Sequence, residues 1–152
     1  MNFSVDLSEV QLEALASVRD AIAPNRWALI GASAIRCHLP MPRPTTDVDF
    51  AVAASLESIL TRLTEAGWTR HPKKLQTWLR AGATIDIVPT TEEDLDIGVT
   101  RLEDGFVMSV VGFDLAFTKT DPIQIREGLT VSVPRLPVLV LLKMIAWLDR
   151  PK

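Results

Sequence analysis

Apolar residues near the start of the chain recur every three or four positions, which is the spacing of an amphipathic helix. The repeat consists of Leu12, Leu15, Val18 and Ile22. Ser8 precedes it, and Gln11 stands three residues after Ser8, an arrangement typical of the capping box that satisfies free backbone amides at a helix start. The pattern predicts a first helix that begins after Ser8 and stops at Pro24.

Two strands are predicted in the next part of the chain. Residues 27–30 form a short apolar run that ends at Gly31, and such a run is typical of a buried strand. In residues 47–53 the apolar Val48, Phe50 and Val52 alternate with acidic or small residues, which predicts a second strand. Between them we expect a short helix over residues 33–39 and a proline-stiffened loop over residues 39–44.

A helix and two hairpins are predicted further along. Ser55 can cap a helix over residues 55–66, and Gly67 can end it in the left-handed conformation that helix ends favour. Extended segments separated by short turn sequences predict the hairpins. The first joins residues 76–80 to 83–88, and the second joins residues 123–125 to 129–133.

The remaining segments complete an alternation of helices and strands. Residues 90–105 are rich in acidic side chains and are predicted as a solvated loop. Residues 138–148 are apolar at nearly every position, and Pro137 suits the first turn of a helix, so we predict a final helix buried on most sides. No repeat or linker divides the chain, which predicts one α/β or α+β domain over residues 1–152.

Composition and charge narrow the classes of function. The chain has 152 residues, of which 47% are hydrophobic and 23% charged, and a formal net charge of −3. This acidic balance argues against wide non-specific attachment to nucleic acid. Cys37 is the only cysteine, which excludes an intrachain disulfide and a cysteine-rich zinc cluster. Because we find neither a secretory signal nor an apolar run of membrane-spanning length, we predict a cytoplasmic protein that does not enter the membrane.

Two aspartates in the strand predicted over residues 47–53 are the first candidates for chemistry. Side chains alternate along a strand, so Asp47 and Asp49 share one face, with their Cα atoms about 6.6 Å apart. Two carboxylates aimed at one point repel each other, and a hard divalent cation such as Mg²⁺ or Mn²⁺ relieves that repulsion. The alternative is that both form the solvated face of an amphipathic strand.

Asp86 is the third acidic candidate. It lies among β-branched residues in the second arm of the first hairpin, where an unpaired carboxylate is costly to bury. If its strand pairs beside that of Asp47 and Asp49 with matching faces, three carboxylates converge, as two-metal phosphoryl or nucleotidyl transfer requires. Asp86 would then help to deprotonate the attacking hydroxyl. Its alternative role is structural, such as capping a hairpin.

A turn of small residues and a lone lysine are candidates for phosphate binding. Gly31-Ala32-Ser33 lies between a predicted strand and a predicted helix, where free backbone amides and a hydroxyl suit a phosphate. Small residues also occur at such turns for packing reasons. Lys143 lies in the otherwise apolar final helix, where its ammonium group needs a carboxylate or a phosphate unless it reaches solvent.

Together these segments resemble the DNA polymerase β-type nucleotidyltransferase superfamily, and within it the AbiEii toxin-like nucleotidyltransferases. The resemblance rests on Gly31-Ala32-Ser33-Ala34, on Arg43-Pro44-Thr45-Thr46-Asp47-Val48-Asp49, on the later Asp86 and on the helix with Lys143. It implies a minimal nucleotidyltransferase fold, with a mixed central β-sheet flanked by helices. It also implies that the catalytic metal ligands are Asp47, Asp49 and Asp86, and that the nucleotide-binding residues are Gly31, Ser33, Arg43, Thr45 and Lys143.

The function that the resemblance implies is Mg²⁺-dependent transfer of a nucleotide from an NTP, such as ATP, to an acceptor. The acceptor would be an RNA such as tRNA, a protein side chain or a small hydroxylated molecule, and a toxin of this type would have an antitoxin protein as its partner. Ala32 replaces the second glycine of the family's turn, and the chain ends at Lys152, where family members usually continue. The chain is thus expected to be either a fragment or a minimal form.

Two alternatives follow from these departures. The first is a catalytically incomplete nucleotide-binding or protein-interaction module with the same fold. The second is an interaction domain in which the three aspartates coincide by chance.

Overall fold

The computed structural model describes residues 7–40 and 47–149, which form six helices and nine strands. The helices are α1 (Glu9–Ile22), α2 (Gly31–Arg36), α3 (Leu56–Glu65), α4 (Glu92–Ile97), α5 (Phe113–Thr118) and α6 (Leu136–Leu148). The strands are β1 (Trp27–Ile30), β2 (Val48–Val52), β3 (Thr69–Arg70), β4 (Thr77–Arg80), β5 (Ala83–Pro89), β6 (Val99–Arg101), β7 (Val107–Ser109), β8 (Thr120–Arg126) and β9 (Leu129–Pro134).

A five-stranded mixed sheet forms the centre of the fold, in the order β1-β2-β5-β4-β3. Strands β2 and β5 are parallel, and the other neighbouring pairs are antiparallel. Two antiparallel hairpins, β6-β7 and β8-β9, complete the structure, and β9 packs beside β1. The predicted fold class, a mixed β-sheet with flanking helices, is confirmed.

The main hydrophobic core lies between one face of the sheet and the helices α1 and α3. It includes the fully buried side chains of Leu15, Val18, Phe50, Ile59, Leu63, Ile85 and Ile87. Full burial of a side chain of this size contributes roughly 1.5–3 kcal/mol each. Phe50 of β2 and Ile85 and Ile87 of β5 point into this core. Because side chains alternate along a strand, the residues between them face the opposite side of the sheet.

A smaller cluster covers part of that opposite face. It consists of Ala28, Ala51, Val110, Phe113 and Phe117, with Val88 and Leu142 packed against it. Asp49 is two residues from Ala51, and Asp86 is two residues from Val88, so both aspartates lie on the same face as this cluster. The apolar cluster therefore ends where the acidic residues begin.

Several local predictions from the sequence are confirmed. Ser8 Oγ accepts a hydrogen bond from the Gln11 amide at 3.2 Å, and Gln11 Oε1 accepts one from the Ser8 amide at 2.8 Å, which completes the capping box. In the first hairpin, Ala81 and Gly82 have φ of 48° and 84°. A two-residue type I′ turn requires positive φ at both positions, and this turn fixes the register of β4 against β5.

Three predictions about secondary structure and burial were wrong. Residues 90–105 are not a loop, because Thr91 caps a helix through a capping box with Asp94 and strand β6 follows. The short second helix begins at Gly31, directly after β1, and not at Ser33. The final helix is not buried on most sides: Trp147 is 67% exposed. Within the described ranges no helix is both long and apolar enough to cross a membrane.

Candidate active site

Four side chains form a row across the sheet, each from a different strand. The backbone pairing aligns Ile30 of β1, Asp49 of β2, Asp86 of β5 and Thr77 of β4. Adjacent strands are about 4.8 Å apart, so the carboxylates of Asp49 and Asp86 are immediate neighbours on one face. The pairing of the Asp86 strand with the Asp49 strand, on which the convergence of the aspartates was conditional, is present.

The charges of this row oppose one another. Burial, together with the nearby charges of Asp86 and Asp47, raises the pKa of Asp49 to about 7. Burial also raises the pKa of Asp86, and Asp47 acts in the same direction, whereas a hydrogen bond from Thr77 and the charge of Lys74 lower it. Partly buried carboxylates that repel each other are costly to ionise unless a cation joins them. A bound cation would therefore be stabilised electrostatically at this site.

The chemistry of the donor set fits a hard divalent cation. Carboxylate oxygens are the ligands that Mg²⁺ and Mn²⁺ prefer, and Asp49 and Asp86 supply them side by side. In residues 7–40 and 47–149, however, no three acidic, histidine or cysteine side chains are grouped closely enough to hold a metal ion together. Asp47 is exposed and precedes β2, and its charge acts on both other aspartates. The three-ligand metal site stays a prediction.

Gly31 lies so close to Asp49 that any other residue at this position would displace the Asp49 carboxylate. It follows β1 directly, is exposed and has φ of +72°. A Cβ atom built on Gly31 would overlap Asp49 Oδ2 and lie 3.3 Å from Asp49 Cγ. Both the backbone conformation and the position of the Asp49 carboxylate thus favour glycine here.

The other predicted nucleotide-binding residues have different outcomes. Ser33 is fully buried, and its hydroxyl is oriented toward the Ile30 carbonyl at 3.4 Å. The structure therefore does not present this hydroxyl to a ligand, and a role for Ser33 at the triphosphate stays a prediction. Arg43 and Thr45 lie outside the described residues, so their predicted roles also stay predictions.

Lys143 lies on α6 and lines an apolar cavity of about 280 Å³ together with Gly31. Its side chain is exposed, which agrees with the alternative that its ammonium group reaches solvent, and its predicted role at the nucleotide stays a prediction. The cavity wall between the two residues includes Ile35, Leu139 and Leu142. The structure brings Lys143 to the same cavity as Gly31, on the β1 side of the aspartates.

A second, polar cavity of about 580 Å³ lies on the β4 side of the aspartates. Its lining includes Asp47, Asp86, Thr77, Lys73, Lys74, Gln76 and Phe106. The aspartate row is thus flanked by two cavities of opposite character, one apolar and one polar.

Sequence reasoning missed Thr77, which is 6% exposed and donates a hydrogen bond from Oγ1 to Asp86 Oδ1 at 2.6 Å. A signal for it was present. The predicted turn at Ala81-Gly82 fixes a pairing in which Thr77 stands opposite Asp86. Cross-strand partners share a face, so the hairpin register alone places this hydroxyl beside the carboxylate.

We expect Thr77→Val to weaken the site while Thr77→Ser preserves it. Valine keeps the shape but removes the donor, which leaves Asp86 with a higher pKa and destabilises the protein by about 1 kcal/mol. Transfer activity should fall about tenfold, with its rise shifted to higher pH, as pH-rate profiles would show. Thr90→Val is the control, because Thr90 is 2% exposed and its hydroxyl bonds only the Val88 carbonyl. Equal losses in both valine variants would contradict a specific role for Thr77.

Both histidines have contacts within the protein. His38 Nε2 lies 2.8 Å from the Pro134 carbonyl oxygen, which joins α2 to the end of β9. His71 Nδ1 accepts hydrogen bonds from the amides of Lys73 and Lys74 at 3.1 and 3.0 Å. These contacts give each histidine a structural role.

Two solved structures share the fold of this chain. One is TM1012 of Thermotoga maritima, assigned as a nucleotidyltransferase, which is 12% identical, has a TM-score of 0.60 and is matched over 97% of this chain and 91% of that one. Another is the solution structure of the antibiotic-resistance factor ANT(2'')-Ia, which is 11% identical, has a TM-score of 0.55 and is matched over 96% of this chain and 79% of that one. At these identities the likeness establishes the fold.

The match to a family model in sequence assigns the chain to a family, which the structural likeness alone does not. Residues 13–152 match the family model of the nucleotidyl transferase AbiEii toxin of type IV toxin–antitoxin systems, and the chain belongs to this family. The resemblance read from the sequence motifs is confirmed. No curated protein matches the chain significantly in sequence.

Proposed function

We propose that the protein transfers a nucleotide from an NTP to a hydroxyl group of an acceptor in a reaction that depends on Mg²⁺ or Mn²⁺. The observation that carries this proposal is the alignment of Asp49 with Asp86 on paired strands, against the glycine turn at Gly31. Membership of a nucleotidyl transferase family supports the same reaction class. A bound divalent cation would neutralise the carboxylates and stabilise the charge that develops on the α-phosphate.

The positions of the aspartates suggest different roles in metal binding and proton transfer. Asp49 is the more deeply placed and, with Asp47 and Asp86, would hold the cation. Asp86 also lines the polar cavity, where it can accept the proton of the acceptor hydroxyl. The hydroxyl oxygen then bonds to the α-phosphorus, the bond to the β-phosphate oxygen breaks, and pyrophosphate leaves.

The nucleotide would bind on the β1 side of the aspartates. Gly31 lets the backbone approach the phosphates closely, and Lys143 supplies a positive charge from the facing helix. Arg43, Thr45 and Ser33 would complete the contacts to the triphosphate, as the family motif implies. The apolar walls of this cavity suit a base or a sugar.

The acceptor and the partner belong to the same proposal. The acceptor is an RNA such as tRNA, a protein side chain or a small hydroxylated molecule. Type IV toxin–antitoxin membership supports a toxin whose activity an antitoxin protein opposes. ATP is one candidate nucleotide among the four NTPs, and the cytoplasm is the proposed compartment.

A direct assay tests the reaction. Pure protein is incubated with each labelled NTP, Mg²⁺ or Mn²⁺ and total RNA, and label in the RNA, in the protein and in small products is measured. Transfer with at least one NTP that stops on chelation supports the proposal. If no NTP gives transfer and none binds in a metal-dependent manner, the proposed reaction is wrong.

One alternative function has specific support. Ser33 is buried, and the described residues contain no preassembled group of three metal ligands. Both observations favour a nucleotide-binding or protein-interaction module that keeps the fold without catalysis. Such a module would bind an NTP in the assay above and transfer nothing.

We expect Gly31→Ala to reduce transfer at least tenfold by pushing the Asp49 carboxylate out of place. The left-handed φ adds strain of about 1 kcal/mol to the free energy of folding. Gly128→Ala is a matched control, because Gly128 has φ of +78° with no atom within 4 Å of the added Cβ. Chemical unfolding and transfer rates of both variants separate strain from displacement. If Gly31→Ala keeps full activity, the close contact with Asp49 has no catalytic importance.

A further inference from the structure

The polar cavity contains a lysine turn, residues 71–77, that neither the sequence motifs nor the proposed catalytic roles explain. Two backbone hydrogen bonds join the ends and the middle of this turn. The His71 amide donates to the Thr77 carbonyl at 2.8 Å, and the Thr77 amide donates to the Lys74 carbonyl at 2.9 Å. The ring nitrogen of His71 binds the amides of Lys73 and Lys74. These bonds fix the backbone that carries both lysines.

Arg70 holds the lysine turn to the opposite wall of the cavity. Its Nε donates to the Leu75 carbonyl at 2.7 Å, and its guanidinium pairs with Glu103 through both carboxylate oxygens. The pairing lowers the pKa of Glu103. Glu103 belongs to the loop between β6 and β7, which also carries Phe106. The two walls are thus joined by a bidentate ion pair, a geometry that limits relative motion.

The lining of the cavity combines positive charge with an aromatic surface. Lys73 and Lys74 are exposed on one wall, and Phe106, 48% exposed, lines the same cavity from the other. Lysine ammonium groups bind phosphates as point charges, and an exposed aromatic ring stacks on nucleobases. Asp86, the proposed base, lies in the same cavity.

The aspartates determine when this cavity attracts an anion. Asp47, Asp86 and Asp104 also line it, so two lysine charges face three carboxylates. Asp49, beside Asp86 in the strand pairing, adds a fourth carboxylate, so one bound divalent cation would bring the sum of these charges from −2 to zero. Anion binding in the cavity should therefore require the cation.

We propose that this cavity is the acceptor subsite and that Lys73 and Lys74 bind a phosphate group of the acceptor, next to the hydroxyl that Asp86 activates. This inference rests on the proposed function and narrows it: the acceptor carries phosphate, as an RNA end or a phosphorylated small molecule does, whereas an unmodified protein side chain does not. The aromatic wall favours the RNA end.

The test measures binding separately from transfer. A fluorescent oligoribonucleotide is titrated with protein in Mg²⁺ and in EDTA, at several salt concentrations. Lys73→Gln with Lys74→Gln should weaken binding at least tenfold and reduce the slope of log affinity against log salt by about 0.7 for each lost phosphate contact. Arg26→Gln with Lys119→Gln is the control, since both residues are exposed, line neither cavity and give the same change in net charge.

Competition experiments show whether the bound phosphate belongs to RNA or to a small molecule. Binding and kinetic measurements on the double variant can overturn the proposal. Ribose 5-phosphate should displace the oligonucleotide and ribose should not. Tighter binding of the oligonucleotide than of the phosphosugar assigns the phosphate to RNA, and equal binding assigns it to a small acceptor. Unchanged oligonucleotide binding in the double variant, or a raised KM for the NTP with an unchanged KM for the acceptor, overturns the proposal. If the wild type binds RNA through Lys73 and Lys74 but transfers nothing, the proposed reaction fails, and the cavity is a phosphate-binding site without an acceptor role.

Discussion

Asp49→Asn is expected to lower nucleotidyl transfer at least about a thousandfold while leaving the fold intact. Asparagine keeps the shape of the side chain but removes the charge that would hold the cation at the centre of the site. The loss should appear in kcat at saturating NTP and Mg²⁺. Circular dichroism and the unfolding transition of the same sample report whether the fold is kept.

The matched control for this substitution is Asp20→Asn. Asp20 lies on α1, which packs on the opposite face of the sheet, and its side chain is 71% exposed in an ion pair with Arg19. This variant removes the same charge without touching the row of aspartates. Retention of more than about a tenth of the activity by Asp49→Asn would show that transfer does not depend on this carboxylate.

The second large effect concerns stability and pH. Without a cation, the folded protein holds a proton on Asp49 up to about pH 7, whereas the unfolded chain releases it near pH 4. Between these values the folded state binds more protons, so the contribution of Asp49 to stability is present below about pH 4 and is lost as the pH rises through 7. At about 1.4 kcal/mol for each pKa unit, the loss is as much as about 4 kcal/mol.

Urea unfolding of the wild type and of Asp49→Asn in EDTA, at pH 5 and pH 8, measures this effect by difference. The wild type should lose stability relative to the variant as the pH rises, because carboxylates away from Asp47, Asp49 and Asp86 contribute equally to both proteins. Mg²⁺ at one hundred times its Kd should restore about 2.7 kcal/mol to the wild type at pH 8. A constant difference between the two proteins at both pH values would contradict the raised pKa of Asp49.

Local sequence signals predicted the parts of the fold that local physics determines. The cap at Ser8, the cap at Ser55 and the turn at Ala81-Gly82 each depend on a few adjacent residues, and each is present. The turn also fixed the strand register on which Thr77 and Asp86 meet. These features need no knowledge of the rest of the chain.

The wrong prediction of burial for the final helix has its cause in tertiary structure, whereas the wrong prediction of a loop over residues 90–105 does not. An apolar stretch such as residues 138–148 predicts a helix, but its exposure depends on how many neighbours cover it, and Met144 is 58% exposed. The segment after Thr90 was predicted as a loop because it is rich in acidic residues, although the capping box at Thr91 indicates a helix start. The same capping pattern was recognised at Ser8 and overlooked here.

The candidate site shows the same division. That Asp47 and Asp49 alternate with core residues followed from strand geometry alone, whereas the pairing of Asp49 with Asp86 joins strands separated by a helix and two further strands. Such pairing is non-local, so the sequence left it conditional. The lysine turn escaped notice because its lysines become neighbours of Asp86 only once β4 pairs with β5.

The close contact between Gly31 and Asp49 also constrains how the sequence of this protein can change over time. Any side chain at position 31 meets the carboxylate at position 49, so the effect of a substitution at one position depends on the residue at the other. Lineages that keep the acid must keep the glycine, while those that lose the acid are relieved of the overlap and retain only the preference of a positive φ for glycine. A change at position 31 is therefore expected chiefly where position 49 has also changed.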